Sequence, residues 1–128
     1  MAHAGDVDGH ALSCKLLSSS GPQTRRFIFE NGYAYEAFIT KEIPLRIQTT
    51  EIEKYTSTVD TIEWNIRYRE YAIPYTHVLD RKNLTMKRAS GAGGRADWQC
   101  EVKTPAEITG TLNQMLERLK ESMKDNKL

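Results

Sequence analysis

The sequence predicts an α+β fold, in which about seven antiparallel strands form a β-sandwich or partly open barrel that is capped by one C-terminal amphipathic helix. In residues 61–68, apolar and polar side chains alternate strictly, as in a strand with one buried face. Residues 96–102 repeat this alternation, with Trp98 and Val102 on the inward face. Residues 104–123 then change to the period of a helix with one apolar face. A sheet that must bury one face and a helix that can cover it predict this class of fold.

The composition is that of one ordinary domain. The 128 residues are enough for one packed core and too few for two. Lysine plus arginine (18) nearly equals aspartate plus glutamate (17), which argues against nucleic acid as a partner, because phosphate neutralisation needs a basic excess. No apolar run approaches the roughly 20 residues of a membrane span, and the N-terminus lacks a secretion or myristoylation signal. We therefore expect a cytoplasmic protein, free or peripheral to a membrane or the cytoskeleton.

Turn-forming residues mark the boundaries between the predicted elements. We expect residues 1–10 to be a disordered lead-in and residues 11–128 to form a single domain. Strands are predicted at residues 11–17, 26–30, 33–40 and 45–52, with a polar turn before residue 61. The pair Asn31-Gly32 is a strong hairpin signal because both residues tolerate positive φ. Residues 77–88 are expected to hold one or two further short strands.

The predicted helix has clear start signals. Thr104 suits the N-cap, Pro105 suits the first helical position, and Glu107 is placed to complete a capping box. Its apolar face is formed by Ile108, Leu112, Met115, Leu116, Leu119 and Met123. We expect the three leucines of this face to be buried, so that truncation of each to alanine costs roughly 2–5 kcal/mol.

The sequence carries no recognisable catalytic or metal-binding motif. The three histidines are scattered, and there is no zinc-like spacing, no G-x-S-x-G and no phosphate-binding loop before a helix. His77 has no nucleophile near it in the sequence and is expected at the surface. Cys14 and Cys100 lie far apart, and two reduced, buried thiols are expected rather than a disulfide. We therefore expect a protein that is not an enzyme and holds neither cofactor nor metal.

The order of motifs resembles the pleckstrin-homology (PH) domain. The basic pair Arg25-Arg26, an apolar strand, a tight turn and the aromatic segment from Tyr33 resemble the first three strands of that family. Residues 98–123 resemble its last strand and C-terminal helix. The resemblance implies a PH-like binding domain. In a phosphoinositide-binding member, the contacts to the anionic headgroup would come from Lys15, Arg25, Arg26, Tyr35 and Lys41.

Two departures from the PH pattern favour a protein partner over a lipid. The loop before Arg25 carries no cation to bind a headgroup, and the helix lacks the tryptophan that family members usually carry. A PH-like domain without the lipid signature is more often a protein-interaction or scaffold module. Tyr71 and Tyr75 flank Pro74 in a break between strands and are the candidate contact residues. Binding to a phosphoinositide or a membrane surface is the alternative.

The C-terminal half is also similar to the COMM domain. Residues 59–66, two further strands and the amphipathic helix match the β-β-β-α unit with which that family dimerises in trafficking complexes. Trp64, Trp98 and Leu112 fall at plausible positions of this unit. Against it, residues 11–52 are predicted to form strands, whereas COMM proteins usually carry a helical region there. A COMM-type dimerisation domain is therefore a second alternative.

Overall fold

The computed structural model describes residues 6–17, 23–68, 73–91 and 93–126. These parts of the chain form nine β-strands and one α-helix. The strands are β1 (His10–Leu16), β2 (Thr24–Glu30), β3 (Tyr33–Ile39), β4 (Ile47–Thr49), β5 (Glu53–Ser57), β6 (Thr61–Ile66), β7 (Tyr75–Asp80), β8 (Thr85–Ser90) and β9 (Arg95–Lys103), and the helix is α1 (Pro105–Met123).

Eight strands close into an antiparallel up-and-down barrel. Their order around the barrel is β2-β1-β9-β8-β7-β6-β5-β3, and β2 pairs with β3 to complete the ring. The short strand β4 extends the sheet beside β3, outside the ring. An antiparallel β-structure with one C-terminal helix confirms the predicted class. The barrel nevertheless has eight strands rather than about seven, and it is closed rather than partly open.

The strand that the sequence does not predict is β5, which lies where a polar turn is expected. Its inward side chains are Tyr55 and Ser57, and its other residues are polar. Such a short and mostly polar segment resembles a turn in sequence. Tyr55 lies opposite Trp64 of β6, and this pairing completes the wall between β3 and β6. Tertiary pairing, rather than local pattern, makes this segment a strand.

The barrel interior is an aromatic-rich core. The predicted alternation in β6 is confirmed, because its apolar residues are buried. Phe27 and Phe29 pack edge-on against Trp64, with ring centroids 5.2 and 5.1 Å apart. Val102 is also expected to face inward, but it is 52% exposed because it lies near the end of β9, at the rim of the barrel.

Cys14 and Cys100 form a disulfide, and the expectation of two reduced thiols is therefore wrong. The two residues lie directly opposite each other in the pairing of β1 with β9. This register brings the sulfurs together although the cysteines are 86 residues apart in sequence. Disulfides persist mainly in oxidising compartments, so the bond counts against the predicted cytoplasmic location.

The two ends of the barrel differ, and the end at which β1 begins is called the lower end. Residues 6–9 lie across it: Val7 is buried in the core, and its backbone N–H donates to the Tyr55 hydroxyl at 3.0 Å. That hydroxyl donates to Asp8 at 2.8 Å, and Arg81 forms an ion pair with Asp6 at 3.0 Å. Part of the expected disordered lead-in thus packs against the barrel. Residues 1–5 lie outside the described residues.

The helix α1 packs on the outer wall of the barrel instead of covering an open face. Its capping box at Thr104 and Glu107 is present as predicted. Ile108 and Leu112 are buried against outward-facing residues of β1, β2 and β3. Leu119 is 42% exposed, so the expectation that it is buried is wrong. Among the described residues, no helix has the length and apolarity of a membrane span.

Candidate functional site

The upper half of the barrel lumen, at the end where β1 ends, contains charged side chains. Alternation along β2, β3 and β8 turns Arg25, Glu36 and Arg88 inward, on the same side of the wall as the aromatic core. Tyr68, just after β6, and Tyr75, at the start of β7, complete the group. We call these five residues the lumen cluster.

Arg25 and Glu36 form an ion pair in this cluster. The Arg25 Nη1 atom lies 2.8 Å from a carboxylate oxygen of Glu36, and their side chains are 27% and 6% exposed. The Tyr68 hydroxyl donates a hydrogen bond to the same carboxylate. Burial and the negative charge of Glu36 raise the pKa of Tyr68 above its ordinary value. The carboxylate of Glu36 is therefore already engaged by two donors.

Arg88 contacts aromatic rings. Its guanidinium lies 3.9 Å from the ring centroid of Tyr75 and 5.3 Å from that of Tyr68. Within the described residues, no carboxylate forms an ion pair with Arg88. The described lumen cluster thus holds two guanidinium groups and one carboxylate, and it has a net positive charge.

His77 is fully buried inside the barrel, so its expected place at the surface is wrong. It lies on β7 between Trp64 of β6 and Arg88 of β8, and it stacks on Trp64 with centroids 5.2 Å apart. Burial, followed by the charges of Arg88 and Arg25, lowers the pKa of His77 to about 3. The ring is therefore neutral near pH 7. Its Nδ1 atom lies 3.3 Å from the Trp64 carbonyl oxygen and acts as the donor, which leaves Nε2 as an acceptor.

Several buried nitrogens of the lumen lack a hydrogen-bond partner within the described residues. They are Arg25 Nε, Arg88 Nε, His77 Nε2, Trp64 Nε1 and Trp98 Nε1. Native proteins leave few buried polar atoms unpaired, because each costs about 1–3 kcal/mol. These atoms are concentrated in one lumen, where polar atoms of water or of a bound molecule would satisfy them.

The five proposed lipid contacts do not all converge on one site, and only Arg26 and Lys41 line the same groove. Lys15, Arg26 and Tyr35 occupy outward positions on β1, β2 and β3, whereas Arg25 points into the lumen. Lys41 is exposed in the segment after β3. Neighbouring residues of one strand face opposite sides of the sheet, so Arg25 and Arg26 belong to different surfaces.

The tyrosines of the sequence analysis also occupy separate positions. Burial and a 3.0 Å hydrogen bond to Glu30 raise the pKa of Tyr35 to about 12. Tyr75 is half-buried and packs edge-on against Tyr68, with centroids 5.5 Å apart. Tyr71 lies outside the described residues. The segment expected to contact a protein partner thus contributes one tyrosine to the lumen cluster.

The residues that sequence reasoning missed are Glu36, Tyr68, His77 and Arg88. Each occupies an inward position in or beside a strand. The signal that identifies such a residue is an even number of positions between it and a buried residue of the same strand, because side chains alternate between the two faces. Within the described ranges, no group of three metal-ligating side chains is placed to hold a metal ion.

Comparison with known protein families, curated proteins and solved structures found no match to this chain. The resemblances to PH and COMM domains therefore stay predictions. The barrel joins both halves of the chain, since β9 pairs with β1 and β5 pairs with β3. The segment compared with a COMM unit is thus part of one continuous wall.

Proposed function

We propose that this protein is a non-enzymatic binding protein whose barrel receives a small, flat, anionic molecule in the upper half of its lumen. The observation that carries the proposal is the set of buried, unpartnered nitrogens on inward-facing residues of the described barrel. An eight-stranded barrel is wide enough either to be filled by side chains or to hold one small ligand. Ligands of such barrels are fixed by a few polar groups among apolar walls.

Charge and shape select the class of ligand. Two guanidinium groups against one carboxylate favour an anion, and a carboxylate matches the planar fork of arginine. The stacked rings of Trp64 and His77 favour a flat, conjugated body. Because the neutral His77 Nε2 accepts hydrogen bonds, a hydroxyl on the ligand would be recognised as well. An aromatic carboxylic acid combines these features.

The test uses the position of the two tryptophans. Trp64 and Trp98 are the only tryptophans of the chain, and both are buried in the barrel, so their emission reports on the lumen. Benzoate, cinnamate and 4-hydroxybenzoate would be titrated by calorimetry and by tryptophan emission, with cinnamyl alcohol as the neutral counterpart of cinnamate. We expect the acids to bind. The alcohol should bind at least about tenfold more weakly than cinnamate, since one charge-assisted hydrogen bond contributes about 1.5–3 kcal/mol.

A matched pair of variants on β8 assigns the site. Arg88→Gln should weaken binding of the acids about tenfold, whereas Lys87→Gln should leave it unchanged, because Lys87 is exposed on the opposite face of the strand. Circular dichroism of both variants would show whether they are folded. If all three acids fail to bind, or if both variants bind them equally, the proposal is wrong.

The protein-interaction function expected from the PH resemblance remains a second prediction. No described contact favours it over the lumen, and Tyr75 is engaged within the barrel.

A further inference from the structure

An apolar groove lies outside the barrel, between α1 and the edge formed by β3 and the segment after it. Its volume is about 420 Å³. Its apolar walls are formed by Ile39, Leu45, Leu112, Met115 and Leu119, and we call it the helix groove. Pockets of this size that are lined mainly by apolar side chains are typical of binding sites for small molecules.

The helix groove exists because the apolar face of α1 continues beyond the part that the barrel covers. Leu112 is buried on the barrel wall, Met115 is half-buried, and Leu119 is 42% exposed. Outward-facing Ala37 offers only a methyl group beneath the helix, which leaves room beside it. A stripe of the helix is thus apolar, accessible and bounded on one side by the segment that carries Leu45.

Arg26 places a positive charge in the wall of this groove. It occupies an outward position of β2, opposite Ala37, and is half-buried. Burial lowers the pKa of its guanidinium. Within the described residues, the guanidinium of Arg26 forms neither a hydrogen bond nor an ion pair, whereas that of its neighbour Arg25 is paired with Glu36. A half-buried charge without a partner is costly, so an anion here would be stabilised.

We propose that the helix groove binds the carboxylate form of a fatty acid, with the chain along Leu112, Met115 and Leu119 and the carboxylate at Arg26. Lys41 stands exposed on the rim and adds a second positive charge. The concave shape favours a single inserted chain, because a bilayer surface would meet the helix and β3 without filling the space between them. The carboxylate site at Arg26 differs from the proposed lumen site at Arg88, because these two side chains lie on opposite sides of the barrel wall, although Glu36 of the lumen cluster also borders the groove.

Calorimetry with dodecanoate below its micelle-forming concentration tests this site, with 1-dodecanol as the neutral counterpart. We expect one dodecanoate per chain and about tenfold weaker binding in Arg26→Gln. Leu119→Ser should also weaken binding, and because Leu119 is already exposed this variant should remain folded. Lys54→Gln is the control, because Lys54 is exposed on β5, away from the groove.

Three results would overturn the proposal. The first is binding of dodecanoate that is unchanged in both Arg26→Gln and Leu119→Ser. The second is co-sedimentation with phosphatidylcholine vesicles containing phosphatidylserine when monomeric dodecanoate does not bind, which would indicate a membrane surface instead. The third is binding of dodecanoate that is lost in Arg88→Gln but kept in Arg26→Gln, which would place the fatty acid in the lumen.

Discussion

Reduction of the disulfide between Cys14 and Cys100 should destabilise the barrel measurably. The cysteines are 86 residues apart, so the bond restricts most of the unfolded chain. The chain-entropy argument gives about 4.5 kcal/mol for a loop of this length, and disulfides typically contribute about 2–4 kcal/mol. The bond also joins β1 to β9, the pair that connects the first and last strands of the ring. We therefore expect the free energy of unfolding to fall by about 2–4 kcal/mol, out of the roughly 5–15 kcal/mol typical of a domain.

Urea unfolding followed by tryptophan emission measures this loss. Trp98 lies next to the disulfide along β9, at a buried position, so its emission changes when the barrel opens. The reduced protein keeps both sulfur atoms, and its loss of stability therefore measures the cross-link alone. The double variant Cys14→Ala/Cys100→Ala loses the cross-link and the sulfur packing, and it should be somewhat less stable than the reduced protein. The double variant should not respond to reductant.

Thiol titration in denaturant shows whether the disulfide between Cys14 and Cys100 is present. We expect no free thiol before reduction and two after it, since the chain has two cysteines. Two titratable thiols in the untreated protein would refute the disulfide and restore the expectation drawn from sequence. Complete reduction without a shift of the urea midpoint would refute the argument that the cross-link stabilises the barrel.

Two further predictions concern the helix and the buried histidine. Leu112→Ala should cost about 2–5 kcal/mol in urea unfolding, whereas Leu119→Ala should cost about 0.5 kcal/mol or less, because only Leu112 is buried; equal losses would contradict the placement of α1. The pKa of His77 is lowered to about 3, so between about pH 6.5 and pH 3 the unfolded chain binds a proton that the folded chain does not, and stability falls as the pH falls. At about pH 5 the loss attributable to His77 should be about 2 kcal/mol relative to pH 7.5, and His77→Gln should lack this part of the pH dependence. An identical pH profile in the variant would contradict the buried, neutral state of His77.

Local signals predict the elements of this fold well. Asn31 and Gly32 both have positive φ, 54° and 80°, in the turn between β2 and β3, as the pair predicts. The capping box at Thr104 starts the helix where expected. These features depend on residues close in sequence, and their physical causes are contained in a few neighbouring positions.

Closure of the barrel and the content of its lumen depend on register, which local patterns do not specify. The pairing of β1 with β9 decides that Cys14 meets Cys100. The pairing of β6, β7 and β8 decides that His77 lies between Trp64 and Arg88. A shift of one residue in any of these strands would turn the same side chains to solvent. From the sequence alone, a charged residue such as Arg88 is expected to face solvent, because arginine is rarely buried without a partner.

Because an arginine is rarely buried without a partner, Arg88 is the residue on which the proposed lumen site depends most. Glu36 already neutralises Arg25, so a ligand at Arg25 would compete with an ion pair of 2.8 Å. Arg88 rests on the faces of Tyr68 and Tyr75, a contact that a carboxylate need not break to bind the edge of the guanidinium. At the lower end, residues 6–9 lie across the barrel and carry carboxylates that would repel an anion. Among the described residues, Arg88 is therefore the arginine of the lumen cluster whose positive charge is least compensated, and the proposed anion would be bound there.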